Sequence, residues 1–335
     1  MFKKSILSLL VMLFAAWTTP SLYAQTNGQE PYSKRGMGKF VFTEYAPLKN
    51  KPITVYYYIP KTGDVKNMRV LFSMHGAERS GKGQINQWRH FAEHDGFVVI
   101  APEYSAKIYG GWAYQFGGVV RKGKVQPREK WTYSSIEAIF DHFKQITGST
   151  AQKYDMFGFS AGGQFTHRFT LAMPDARLNI AVAGNPGSWT FPLIDGYPSK
   201  YEKGKTYGWG HSVKGTPMAN EETVKKFLAH KLYIMIGKLD TMTVGKYVPK
   251  TKADLSQGKH RLARARNFYK TCKQLAKKNK WEFNWEKIEV PKVGHSCRST
   301  VYGAWTEDYK GKRRFDINNY AEKSAYYLIF KKHAQ

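Results

Sequence analysis

Three residue types in one chain order could carry out nucleophilic acyl chemistry. The sharpest is Ser160, in the string Gly158-Phe159-Ser160-Ala161-Gly162-Gly163. A G-x-S-x-G between a buried strand and a helix is a nucleophile elbow: a tight, strained turn lifts the hydroxyl clear of the sheet. The context fits, because Tyr154–Phe159 is short and continuously apolar and Gly162–Met173 reads as a helix. Without that context the five residues would be only a Gly-rich turn.

A serine hydroxyl is a weak nucleophile and needs a base held by an acid. Asp240 follows the apolar run Lys231–Gly237, and His295 stands in Val293-Gly294-His295-Ser296 beyond the run Phe283–Val290. The order Ser, Asp, His, with both partners just past strands, is the one this elbow requires. Asp240 could alternatively be an ordinary turn aspartate. Among the other histidines, His90 and His94 lie on a charged helix, His333 is near the terminus, and His167 reads as structural. Acyl transfer also needs oxyanion donors. The N–H of Ala161 follows the nucleophile, and the loop His75-Gly76-Ala77 after the strand Val70–Met74 offers Ala77, or Gly76 as its close alternative.

The set His75-Gly76, Gly158 to Gly162, Asp240 and Gly294-His295 resembles the α/β-hydrolase superfamily. Within it the chain resembles secreted polyhydroxybutyrate-depolymerase-like and feruloyl-esterase-like serine esterases, from about Ile53 to the C-terminus. The resemblance implies a mostly parallel twisted sheet with helices on both faces. It implies hydrolysis of a carboxylic ester through an acyl-enzyme, on an acylated or feruloylated polysaccharide or a short polyester. It implies neither metal nor organic cofactor. A serine peptidase of the same fold and a catalytically silent binding protein are the alternatives. A gating propeller, usual in such peptidases, is not seen before the catalytic frame, and a complete triad speaks against a silent fold.

The elements that must position these residues alternate strand and helix, which predicts a parallel sheet covered on both faces. Beyond the runs named, Ile53–Ile59, Phe97–Ala101 and Ile180–Ala183 read as strands, and 85–94, 134–147, 220–228, 260–280 and 318–332 as helices. A single domain is expected over 39–335. Two long aromatic segments, 104–131 and 186–217, look like elaborations that wall a substrate site. Trp112, Tyr114 and Trp189 within them, with His75, are the substrate-binding candidates; aromatic staples of a packed loop would use the same residues.

Ahead of that domain, Lys3 and Lys4 precede an apolar stretch, Ile6–Trp17, too short to span a bilayer comfortably. Residues 1–24 therefore read as an export signal cleaved before Gln25, and 25–38 as a loose mature N-terminus. Cleavage would leave no transmembrane segment, and the protein is expected to be secreted or periplasmic. In an oxidising compartment Cys272 and Cys297 could form a disulfide; two free buried thiols are the alternative. The 335 residues are 42% hydrophobic and 15% aromatic, which excludes a disordered chain. The 53 Lys and Arg against 25 Asp and Glu, a net +28, favour an anionic partner. Export and the lack of a recognition motif disfavour nucleic acid, leaving an anionic envelope or polysaccharide surface, or simply a solvated basic exterior.

Overall fold

The computed structural model describes residues 30–303, 306–307, 313–314 and 322–333. The expected export signal, residues 25–29 and part of the expected last helix, 318–321, lie outside the described residues. Eight strands form the central sheet: β1 (Gly36–Phe42), β2 (Ile53–Ile59), β3 (Val70–Met74), β4 (Val98–Glu103), β5 (Tyr154–Phe159), β6 (Leu178–Gly184), β7 (Leu232–Gly237) and β8 (Glu286–Val290). Their spatial order is β1-β2-β4-β3-β5-β6-β7-β8. β2 runs antiparallel to both neighbours, and β4, β3 and β5 to β8 are parallel.

Strand periodicity divides the core in two. Val70, Phe72 and Met74 of β3, Val98 and Ile100 of β4 and Ile234 and Ile236 of β7 enter one apolar cluster. The residues between them, Leu71, Val99 and Met235, enter the other. Alternate side chains point to opposite faces of a sheet, so the two clusters are its two sides. The first takes α2 (Ser134–Thr147), α3 (Ala161–Ala172), α4 (Glu221–Ala229) and α6 (Arg261–Asn279). The second takes α1 (Gly81–Asp95), α7 (Cys297–Tyr302) and the C-terminal segment 325–330. A short helix, α5 (Lys252–Gln257), precedes α6. Asn220 caps α4 through its side chain and His260 caps α6, which fixes where both begin.

Three expectations need correction, and two short helices add to those expected. The loose N-terminus was expected to reach 38, but β1 begins at Gly36, and Tyr32 is buried against Phe40, Tyr57 and Phe143. The last strand is shorter than 283–290, because Phe283 and Trp285 turn into the cluster around Phe268 and Phe227. α5 and α7, one turn or so each, were not expected. The disulfide is absent: Cys272 on α6 and Cys297 on α7 are both free. Cys272 lies in one core cluster and Cys297 packs against the other, so the sheet stands between two thiols that would need Cα atoms within about 7 Å.

Among the described residues, no helix is long and apolar enough to cross a membrane.

Candidate active site

Ser160 sits between β5 and α3 with φ 56° and ψ −111°, a left-handed backbone that costs a non-glycine residue energy. Close packing holds it there. A Cβ on Gly162 would lie 2.1 Å from the carbonyl of Met74, and one on Gly158 would lie 2.1 Å from the carbonyl of Gly162. Only glycine at both positions lets α3 start against the ends of β3 and β5. Ser160 N–H donates to the Gly184 carbonyl at 2.8 Å, tying the turn to β6.

Sequence-distant loops meet at this turn. His295, between β8 and α7, places Nε2 3.0 Å from Ser160 Oγ, and its Nδ1 lies 2.7 Å from Asp240 Oδ2. With Nδ1–H donating to the carboxylate, Nε2 is left free to accept from the serine hydroxyl. The loops of Asp240 and His295 are laced together by Leu239 N–H, which donates to the Val293 carbonyl at 2.8 Å. Phe159 packs on the imidazole with ring centroids 4.7 Å apart.

Asp240 has two further partners. Asn185 donates to Oδ2 at 2.7 Å, and Arg261 donates to Oδ1 at 3.2 Å. Burial pushes the carboxyl up, but the hydrogen bond and charge of His295, with Asn185 and Arg261, outweigh it and hold the group below its ordinary value. Asp240 is thus an ionised carboxylate at neutral pH. Sequence reasoning missed both partners. The position of Asn185 directly after β6, at the carboxyl end of a parallel strand, was a usable signal; nothing local marked Arg261.

The oxyanion candidates surround the same point. Ala161 is the first residue of α3, so its N–H has no acceptor within the helix. A Cβ on Gly76 would lie 3.8 Å from Ser160 Cβ, which brings the loop Gly76-Ala77 against the elbow. His75 steadies that loop. Its Nδ1 donates to the Gly76 carbonyl at 2.9 Å, and Nε2 accepts from Tyr104 N–H at 3.0 Å. Burial, with the nearby Arg79, lowers its imidazole to about 3.

A cavity of about 370 Å³ opens over these groups, lined by His75, Gly76, Ala77, Ser160 and His295 together with Glu78, Gln84, Gln87, Tyr247 and Cys297. Of the four substrate-binding candidates only His75 borders it. Tyr114 is buried, stacks on His75 at 4.4 Å and donates its hydroxyl to the His75 carbonyl, so it buttresses the loop from behind. Trp189 is buried against Phe268 at 4.5 Å. Trp112 is half-buried under Arg121 and Lys51. No residue of 104–131 or 186–217 is among those lining the cavity. Arg168 on α3, fully buried, explains the second segment: its guanidinium donates to Thr190, Ser188 and the Gly210 carbonyl and fastens the segment to the frame.

A sheet of this order with a serine on a strained turn after β5 defines the class: an α/β-hydrolase-fold protein. No protein-family model matches the chain, and no curated protein matches it. Two of the solved structures similar to the chain are informative. Poly(aspartic acid) hydrolase-1 from Sphingomonas sp. KT-1 is 34% identical at a TM-score of 0.72, covering 79% of this chain and 95% of its own. LpqC, a poly(3-hydroxybutyrate) depolymerase from Bordetella parapertussis, is 25% identical at a TM-score of 0.71, covering 84% and 93%. The chain belongs to the poly(3-hydroxybutyrate)-depolymerase-like branch of the α/β-hydrolase superfamily and is a hydrolase.

Proposed function

We propose that the protein hydrolyses carboxylic esters of a polymer through Ser160, His295 and Asp240. The observation that carries this is the unbroken line of hydrogen-bonding contacts Ser160–His295–Asp240 at the floor of the cavity. Ser160 Oγ attacks the acyl carbon while its proton passes to His295 Nε2, and Asp240 supports the resulting imidazolium. The negative oxygen of the tetrahedral intermediate accepts from the N–H of Ala161 and of Ala77 or Gly76. Collapse breaks the bond to the leaving alkoxide, which takes the proton from Nε2. Water then gives a proton to His295 as its oxygen attacks the acyl-enzyme, and that proton returns to Ser160 when the acid leaves.

The likeness to a poly(3-hydroxybutyrate) depolymerase supports a short polyester as substrate ahead of a feruloylated or acetylated polysaccharide. A second reading, cleavage of an amide in a polyanionic chain, is favoured by the likeness to a poly(aspartic acid) hydrolase together with the net charge of +28. The basic leader followed by the apolar run 6–17 supports export to the periplasm or beyond. There the positive surface would hold the enzyme at an anionic envelope. One panel separates the readings: hydroxybutyrate oligomers, feruloyl and acetyl esters and aspartate oligomers, each with wild type and Ser160→Ala. Turnover of the hydroxybutyrate oligomer that falls at least about 10⁴-fold in the variant is expected. Activity unchanged in Ser160→Ala would sink the mechanism, and turnover of aspartate oligomers alone would replace the ester by the amide.

A further inference from the structure

The loop after β7 has an unusual surface. Leu239 is 61% exposed, Met242 55%, Val244 67% and Tyr247 50%, whereas the other exposed large apolar side chains described stay at or below 40%, Tyr201 excepted. Residues 241–247 are exposed without interruption. A soluble protein seldom gathers so much apolar surface in one place without a use for it.

The exposure is not that of an untethered loop. At its near end Leu239 N–H is bonded to Val293 and the Asp240 carboxylate is held by His295, Asn185 and Arg261. At its far end Val248 is buried, Arg261 donates to the Tyr247 carbonyl at 2.8 Å and Arg264 to the Pro249 carbonyl at 2.9 Å. Both feet are fixed in the frame and the middle stands out. Its charge is one-sided as well. Lys238, Lys246 and Lys250 are exposed along it, and its one acid, Asp240, is buried and paired. Tyr247 belongs at once to this loop and to the lining of the catalytic cavity.

We propose that the loop 238–250 seats the protein on an anionic lipid surface, with Met242 and Val244 entering the acyl boundary and the three lysines meeting the headgroups. Apolar side chains interleaved with lysine on a projecting element are what an interfacial segment requires. A soluble polyanion would use the lysines and leave the apolar groups without a partner. Two copies of the chain meeting on this face would set the same lysines against each other. The proposal rests on the reading of the basic surface as an attachment to an anionic envelope, and adds where the contact lies: at the rim of the active site.

Cosedimentation with vesicles tests it, using phosphatidylcholine alone and phosphatidylcholine mixed with phosphatidylglycerol, with soluble dextran sulfate as a comparison. Wild type should bind only the anionic vesicles. Lys238→Ser/Lys246→Ser/Lys250→Ser should bind them roughly a hundredfold more weakly. Met242→Ser/Val244→Ser should lose about tenfold on vesicles yet bind dextran sulfate like wild type. Ser160→Ala should sediment like wild type, so failure of the hydrolytic mechanism would leave this result standing. The proposal is overturned if wild type ignores the anionic vesicles. It is equally overturned if Met242→Ser/Val244→Ser binds them undiminished, or if that variant weakens on dextran sulfate by the same factor.

Discussion

At Asp240 desolvation and hydrogen bonding oppose each other, and hydrogen bonding wins. Because the native carboxyl titrates below its ordinary 3.8, its contribution to stability is complete above that pH and is lost as pH falls through the depressed native value. Its partners carry measurable shares. Asn185→Ala should lower unfolding free energy by about 2 kcal/mol, the cost of leaving a buried acceptor short of a donor. Arg261→Met should cost about 3–5 kcal/mol, since the side chains of both members of that ion pair are almost wholly buried and one charge is left behind. Urea unfolding of the two variants checks the order; an Arg261→Met protein as stable as wild type would mean that the pair contributes nothing. The meeting of Ser160, Asp240 and His295 was legible in the sequence because each stands just past a strand in an order the elbow dictates. Arg261 was not, because it reaches Asp240 from the start of α6, across 21 residues and past α5, with no motif to mark it.

Among the elements, the turn from β5 into α3 was legible to within a residue. Its signal is local: a buried strand, glycines at fixed offsets and a helix, all within one contiguous stretch. The packing that makes those glycines necessary was not legible, since it comes from β3. Gly162→Ala must move a Cβ out of contact with the Met74 carbonyl, so it should destabilise the fold by about 3 kcal/mol and displace Ser160 from His295. Thermal unfolding together with kcat on a soluble ester checks this; a variant with unchanged values for both would show that the elbow has slack. The aromatic loops were the least legible elements. Trp189 and Tyr114 have the composition of a sugar-stacking wall, yet a ring against Phe268 or His75 looks the same in sequence as a ring against a substrate. β1 was hidden for a related reason: an edge strand with alternate residues in water lacks the continuous apolar run that marked its neighbours.

For the whole molecule, the histidines decide the acid limit before the carboxylates do. Burial lowers His75 to about 3, and lowers His211 and His230 to about 4, against 6.5 when exposed. Between these values the unfolded chain takes up protons that the native one does not. Stability is therefore complete above pH 6.5 and falls as pH drops toward 4, by up to about 1.4 kcal/mol per pH unit for each histidine. Thermal midpoints at a series of pH values should fall steeply across that window; a flat profile would mean that these imidazoles find proton-accepting partners. The net charge of +28 was plain from composition, but composition carries no positions. That three of its lysines share the loop 238–250 with exposed apolar residues emerged only once β7 and α6 had fixed the two ends of that loop.

The central claim is that Ser160 is the nucleophile, and covalent capture tests it most directly. A fluorophosphonate should add once to the intact protein, with the added mass mapping to the peptide that carries Ser160 and absent from Ser160→Ala. Labelling of a different residue, or no labelling of a protein that still hydrolyses esters, would contradict the account.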